Sequence, residues 1–310
     1  MEAATQPVIC MRDVVKAFDG KKVLDGINLD VRPGETLVIM GGSGSGKSTM
    51  LRLMIGSLRP TEGTVSLFGN TISSMNELQL NEVRKRFGIL FQSGALFNSM
   101  TLFENVALPL REHTELPEET IDIIVKIKLE QVSLREHAHK FPAQISGGMK
   151  KRAGLARALS LDPQLLFYDE PSAGLDPVTS AEIDDLIIGL SRQLKVTSVV
   201  VTHEMDSAFR VADRMAMLDR GRIIKLAPRQ AFEALRDAKG DLPEHDALIR
   251  QFLRGDAEGP ISRRRQSTGY EEDLLGELPR HDVPRPSMLA SRLFKHGRAA
   301  RRQAKESQES

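Results

Sequence analysis

Thr36-Leu37-Val38-Ile39-Met40 runs without a break into Gly41-Gly42-Ser43-Gly44-Ser45-Gly46-Lys47-Ser48. The first five residues read as a short apolar strand. The next eight fit G-x-x-x-x-G-K-[S/T], and a helix is expected to follow, ending near Gly56. Strand, glycine-rich loop and helix in that order make an anion cradle. The glycines let backbone N–H groups converge on phosphate oxygens without Cβ clashes, and the helix N-terminus adds the positive end of its dipole. Lys47 is placed to reach β- and γ-phosphates and the Ser48 hydroxyl to bind Mg²⁺, with Thr49 beside them among the nucleotide-binding residues.

Outward from this loop, Ile27, Leu29 and Val31 alternate with Asn28 and Asp30 as in a half-exposed strand, and Pro33-Gly34 turns the chain. Further strands are predicted at Thr64–Phe68, Phe87–Phe91, Leu165–Tyr168, Ser198–Val201 and Met215–Leu218, with a helix over Ser180–Leu194. From Ser93 to about Asp162 the patterns are helical, as in Ile121, Ile124, Val125 and Lys128, which predicts a helical subdomain over 93–162. The expected fold is α/β, with a largely parallel sheet, helices on both faces and antiparallel strands near the N-terminus. Beyond Leu226 two more helical patterns follow, the second carrying Leu248, Ile249, Phe252 and Leu253 on one face. After Gly255 the composition shifts to Pro, Arg, Ser and Gln. The expected domain therefore spans 1–258, with 259–310 as an extension lacking its own core.

The formal net charge is +1 over 310 residues, which gives no global field to attract nucleic acid. Residues 259–310 carry 11 basic and 7 acidic side chains, so the slight positive excess belongs to the extension. One cysteine, Cys10, excludes an intrachain disulfide and a cysteine-cluster metal site, and its apolar neighbours predict a buried, inert thiol. There is no uninterrupted apolar run of about 18 residues and no secretory pattern, so a cytosolic chain that does not span a membrane is expected.

Two further stretches carry chemistry. Leu165-Leu166-Phe167-Tyr168-Asp169-Glu170 is an apolar strand ending in two carboxylates. Asp169 can hold the shell of Mg²⁺, and Glu170 can act as general base on an attacking water. Ile145-Ser146-Gly147-Gly148-Met149-Lys150-Lys151-Arg152 opens a helix rich in Ala and Leu, and its Ser cap and two glycines form a second anion-binding helix end.

The phosphate loop, Gln92, Ser146-Gly147-Gly148, Asp169-Glu170 and His203, in that order, resemble the ATP-binding cassette ATPases over most of Val8 to Leu226. The resemblance implies a P-loop NTPase (RecA-like) core with an N-terminal antiparallel β subdomain and an inserted helical subdomain. It implies MgATP bound between the phosphate loop of one copy and Ser146, Gly147 and Gly148 of a second copy. Phe18 would stack on adenine, although as a residue it reads equally as a core Phe at a strand end. Gln92 would touch Mg²⁺ and the water. His203, otherwise a candidate core histidine, would bond the γ-phosphate and orient Glu170. Asp176, in Ser172-Ala173-Gly174-Leu175-Asp176, would stand at the dimer interface, and Gln92 to Leu110 would receive a cytoplasmic helix of a permease. Most of the family has Gln where this chain has Met149; a thioether is a poor acceptor, which alters contacts there but leaves Ser-Gly-Gly intact.

That departure points to a subfamily. Ser146-Gly147-Gly148-Met149, Gly154-Leu155-Ala156-Arg157-Ala158, Phe91–Phe97, Leu110–Thr114, Arg250–Leu253 and Gly269–Leu275 resemble the ATPase subunit of the Mla-type (MCE-associated) phospholipid transporters. This implies an ATPase at the cytoplasmic face of the inner membrane, working with permease subunits, an MCE-type substrate-binding protein and a small regulatory subunit, in the maintenance of outer-membrane lipid asymmetry. In the tail, Tyr270, Leu274 and Leu275 would anchor on the neighbouring ATPase, the other reading being a solvated tail. Arg298, Arg301, Arg302 and Lys305 share a helical face that reads either as a lipid-facing helix or as a charged terminus. The alternatives are the ATPase of another lipophilic-solute or toluene-tolerance-type transporter, or a soluble cassette ATPase. Only 53 residues separate Gln92 from Ser146, without sustained heptads, which excludes the long coiled coil of the DNA-repair type. An ordinary P-loop kinase or GTPase would leave Ser146-Gly147-Gly148 and His203 without a task.

Overall fold

The computed structural model describes residues 6–261. They form a compact unit, Met1–Gly259, followed by a second, Pro260–Ser310, of which only the first two residues are described. The readings of Gly269–Leu275, of Tyr270, Leu274 and Leu275 as anchors, and of the basic face from Arg298 to Lys305 lie outside the described residues.

Strands β1 (Ile9–Phe18) and β2 (Lys21–Val31) form an antiparallel hairpin. After Pro33-Gly34 comes β3 (Thr36–Gly41), then α1 (Lys47–Met54), β4 (Glu62–Leu67), β5 (Asn70–Thr71), α2 (Glu77–Arg84) and β6 (Phe87–Leu90). Three helices follow without a strand between them: α3 (Leu102–His113), α4 (Glu118–Gln131) and α5 (Gly147–Ala158). The chain then alternates through β7 (Leu165–Asp169), α6 (Pro177–Leu194), β8 (Thr197–Val201), α7 (Met205–Val211) and β9 (Arg214–Asp219). It continues with β10 (Arg222–Pro228), α8 (Arg229–Asp237) and α9 (Glu244–Arg254). Among the described residues no helix is long and apolar enough to cross a membrane.

Two sheets result. One is antiparallel, in the order β2-β1-β4-β5; the other runs β10-β9-β3-β8-β7-β6, parallel except for the β10 edge. Every residue of β3 and β8 is buried, as expected of central parallel strands covered on both faces. Met50, Leu51, Leu53 and Met54 of α1 share one core with Ile9, Met11 and Val65 of the antiparallel sheet and with Leu37, Ile39, Phe167 and Val199 of the parallel one. The helix that follows the phosphate loop thus lies in the core shared by the two sheets, and the loop is fixed by that packing.

The half-exposed β2 and the strands at 64–68, 87–91, 165–168, 198–201 and 215–218 appear within a few residues of their expected places. β10 and α2 were not expected. Cys10 is half-buried rather than buried, because its side chain leaves the core face of β1. Burial nevertheless raises its thiol pKa, with Arg12 opposing and Asp30 adding to the effect, so it remains a poor nucleophile.

Candidate active site

Strand order decides where the chemistry gathers. β3 lies between β8 and β9, each reached from it by a crossover, and in such sheets ligands bind beyond the carboxyl ends of the strands at the point where the order reverses. Four sequence motifs leave those ends: the phosphate loop from β3, Thr202-His203 from β8, Asp169-Glu170 from β7 and Gln92 beyond β6. The ends are level, with Ile39 and Asp169 both opposite Val201, and Leu90 opposite Tyr168.

The phosphate loop has two positions that only glycine fills. Gly41 (φ +156°) has Leu218 O at 2.2 Å from where a Cβ would stand. Gly46 (φ +108°), the N-cap of α1, would drive a Cβ to 2.7 Å from Leu24 Cδ2. Lys47 donates from Nζ to Gly41 O at 2.7 Å and to Gly42 O at 3.0 Å. Burial lowers its pKa, opposed by Glu170 and Asp169. Ser45 Oγ is buried in the loop with no hydrogen-bond partner in the protein. A desolvated ammonium and an unsatisfied hydroxyl both gain from an incoming polyanion. Gly42 and Thr49 are half-buried, and Ser43, Gly44 and Ser48 are open to solvent.

Burial, and secondly Glu170, raises the Asp169 carboxyl above its ordinary range, with Arg52, Lys151 and Lys47 opposing. Glu170 takes a left-handed backbone conformation (φ +50°), and its N–H donates to Val201 O at 2.8 Å. Its Oε1 lies 2.9 Å from His203 Nδ1, and Oε2 accepts the His203 N–H at 3.3 Å. The Glu170 side chain is 14% exposed and that of His203 60%, so the histidine is not a core residue. Gln92 is exposed beside Phe91, next to a groove of about 470 Å³ lined by Arg84, Phe87, Phe91, Pro109, His113 and Arg157. Only Phe91 and Pro109 of those residues come from the neighbourhood of 92–110; His113 at the end of α3, with β6, α2 and α5, supplies the rest. Phe18 is 45% exposed at the end of β1, with Lys16 Nζ 5.0 Å from its ring centre, so the core reading of Phe18 fails.

Ser146, Gly147, Gly148 and Asp176 form a second group. Ser146 caps α5 by accepting Met149 N–H at 3.3 Å, and Ser146 and Gly147 are exposed at the helix end. Asp176 caps α6, accepting Val178 N–H, Thr179 N–H and Thr179 Oγ1, which holds its carboxyl below the usual range. The two groups of this patch adjoin: a Cβ on Gly147 would sit 3.5 Å from Leu175 Cδ2, and one on Gly148 would sit 2.5 Å from Thr179 Cγ2. No hydrogen bond or ion pair joins Ser146, Gly147, Gly148 or Asp176 to the phosphate loop. One helical turn further on, Lys151 Nζ donates to Glu170 O at 2.9 Å, and Arg157 donates to Ala95 O at 2.8 Å and Gly94 O at 3.2 Å. The amino-acid sequence assigned neither residue a role; for Lys151 the basic run after Ser-Gly-Gly was the available signal, and it does not say which of its members turns inward.

The profile of the ABC transporter family matches residues 24–173. The chain is 42% identical over 275 residues to the intermembrane phospholipid transport system ATP-binding protein MlaF of Escherichia coli K12, covering 89% of this chain and 99% of that one. It is 40% identical over 306 residues to the probable ribonucleotide transport ATP-binding protein mkl of Mycobacterium leprae, covering 95% and 86%. Among solved structures it is similar to MJ0796, a dimeric ATP-binding cassette in a post-hydrolysis state bound to ADP and Pi. The TM-score is 0.66 and the identity 30%, over 71% of this chain and 98% of that one.

Proposed function

Because this chain belongs to the ABC transporter ATPase family, we propose that its hydrolysis of ATP drives the movement of phospholipids by a membrane transporter of the Mla/MCE type. The observation that carries the reading is the convergence of Lys47, Asp169, Glu170 and His203 at the level carboxyl ends of β3, β7 and β8. Lys47 and the loop N–H groups bind the phosphates, and Phe18, exposed at the end of β1, stacks on adenine. Glu170 accepts the proton of the attacking water. His203 holds the Glu170 carboxylate through Nδ1; its Nε2 donates to the γ-phosphate only when the ring carries both protons.

Mg²⁺ fits the donor set. Ser48, Gln92 and Asp169 offer oxygen ligands only, and the Asp169 carboxyl is raised by burial and a like-charged neighbour, a combination that a hard cation relieves. When bound, the ion neutralises charge on the β- and γ-oxygens.

Ser146 and Gly147 present an open helix end, with Gly148 buried behind them and no link to their own phosphate loop, which supports the use of this turn on the nucleotide of a second copy, with Asp176 beside the joint. Residues 1–258 then form the ATPase domain, the helices of 93–162 its membrane-facing subdomain, and 259–310 the extension toward the second ATPase. The groove beside Phe91 takes a helix of the permease, which places the chain peripherally on the cytoplasmic face of the inner membrane. The permease and an MCE-type protein, with a small regulatory subunit, supply the lipid path. The name of MlaF, 99% of which the alignment covers, favours phospholipid; the name of mkl favours ribonucleotide.

Two measurements test the reading. Glu170→Gln protein should bind MgATP, lose turnover and sediment as a dimer; a monomer, or normal hydrolysis, would refute the shared site or the base. The transporter, purified from membranes through a tag on this chain, should carry phospholipid; ribonucleotide in its place would select the other cargo.

A further inference from the structure

Glu170 holds a conformation that its own residue type resists. A left-handed backbone at a non-glycine residue is sterically disfavoured, so the surroundings must impose it. Three anchors do so here. The N–H is bonded to Val201 O, the side chain to His203, and the carbonyl accepts Lys151 Nζ at 2.9 Å, with a longer contact from Ala173 N–H at 3.3 Å. The first two come from β8 and its extension; the third alone comes from α5.

Lys151 is an expensive way to satisfy one carbonyl. It is 5% exposed, makes no ion pair among the described residues, and its ammonium is desolvated against a neutral oxygen. Burial lowers its pKa, and the nearby carboxylates of Asp169, Glu170 and Glu204 only oppose that effect. A neutral donor would serve packing better; a long cationic one reaches from the middle of a helix to the main chain of the base.

We propose that Lys151 is a positioning residue for hydrolysis: it holds the Glu170 main chain in its left-handed turn and ties it to the helix whose first turn presents Ser146-Gly147-Gly148. Gly147 and Lys151 stand four residues apart on one helix, so a nucleotide gripped at the end of α5 acts on a rod whose next turn grips the base. The inference rests on the reading of Glu170 as the base given above.

The test compares steady-state ATP hydrolysis by the full-length chain with Lys151→Met, which keeps the shape and loses the donor, and Lys151→Arg, which keeps a donor of similar reach. Lys151→Met should lower kcat about 10- to 100-fold with KM for ATP nearly unchanged, as expected when a reacting group is misplaced and binding is spared. Lys151→Arg should stay within about threefold of the wild type, because its fork can still reach the carbonyl. Wild-type kcat in Lys151→Met, or an equal loss in both variants at unchanged melting temperature, overturns the inference. If Lys151→Met melts early, Lys151→Arg decides alone, and a tenfold loss of kcat there overturns it. Glu170→Gln measured alongside separates the two failures. If it hydrolyses normally, the base assignment falls; if it is inactive while Lys151→Met is fully active, only the role of Lys151 falls.

Discussion

Replacing Gly148 by alanine sets two opposing effects against each other. Gly148 lies in the first turn of α5, and alanine in a helix is more favourable than glycine by about 1 kcal/mol. The new methyl would stand 2.5 Å from Thr179 Cγ2, far inside the roughly 3.5–4.0 Å of an optimal carbon contact. Thr179 is not free to turn away. Its Oγ1 donates to Asp176 Oδ2 at 2.6 Å, so rotation about χ1 would break that hydrogen bond to the residue that caps α6. Crowding of this kind costs about 1–3 kcal/mol, which leaves Gly148→Ala destabilised by roughly 0–2 kcal/mol after the helix gain. Thr179→Ser removes only the methyl and keeps the hydroxyl that donates to Asp176 Oδ2. In that background the same alanine should be stabilising by about 1 kcal/mol, a coupling of about 1–3 kcal/mol between the two sites. Urea unfolding of the four proteins of the cycle measures it. An alanine that stabilises both backgrounds alike would refute the argument that α5 is pressed onto the start of α6 at this point.

Two other predictions concern the phosphate end. Lys47→Ala should abolish the nucleotide-dependent rise in melting temperature that MgATP at about 100 times Kd gives the wild type, a stabilisation of about 2.7 kcal/mol; a retained rise would remove Lys47 from the site. Asp169→Asn should stabilise the nucleotide-free protein at pH 7.5. The raised carboxyl binds a proton in the native state at pH values where the unfolded chain has lost it, so wild-type stability falls as pH rises from the ordinary 3.8 through the native value. Asparagine carries no such penalty, and its advantage in thermal melts should vanish toward pH 3.8; an advantage independent of pH would refute the assignment of the shift to Asp169.

Phe18, Gln92, Asp176 and His203 took their roles only from the family resemblance; the candidate site was legible where its residues sit at strand ends and are written locally, as an apolar run followed by glycines or carboxylates. The parallel core followed from the same signal. What escaped was carried by other signals. β10 follows a two-residue turn, Arg220-Gly221, with both φ positive, the same geometry as Asp19-Gly20 and Phe68-Gly69 at the other hairpins. Arg-Gly is a weak form of that signal beside Asp-Gly, and β10 is only half-buried, so its alternation is shallow. The start of α2 was marked by Asn76 and Gln79, a capping box that the structure forms in full, but its short span carries only two buried residues. The environment of Cys10 turned on which face of β1 meets the core, and the bulges between Met11 and Val14 and between Val14 and Lys16 interrupt the simple alternation of that strand.

The contacts of α5 could not be read from the sequence, because they join segments far apart in the chain, and they bear directly on how two sites could be coupled. Gly148, Lys151, Gly154 and Arg157 recur every three residues, a spacing that winds about halfway round the helix between the first and the last. Gly148 meets Thr179 beside the Asp176 cap, Lys151 holds the Glu170 carbonyl, a Cβ on Gly154 would strike Gly94 O at 2.8 Å, and Arg157 bonds the carbonyls of Gly94 and Ala95. The loop that starts at Gln92, Glu170 and the start of α6 are therefore all referenced to one helix of 12 residues, about 18 Å long at 1.5 Å per residue. Close contacts at Gly148 and Gly154 leave it little room to slide, and backbone hydrogen bonds within the helix keep it from stretching. A displacement applied at its exposed Ser146 end would then move as a rigid shift of the whole rod, felt together at Glu170 and at the loop bordering the Phe91 groove. Two independent loops could be ordered one after the other; a shared helix makes their ordering a single event, which is what coupling hydrolysis to a movement in a separate membrane chain requires.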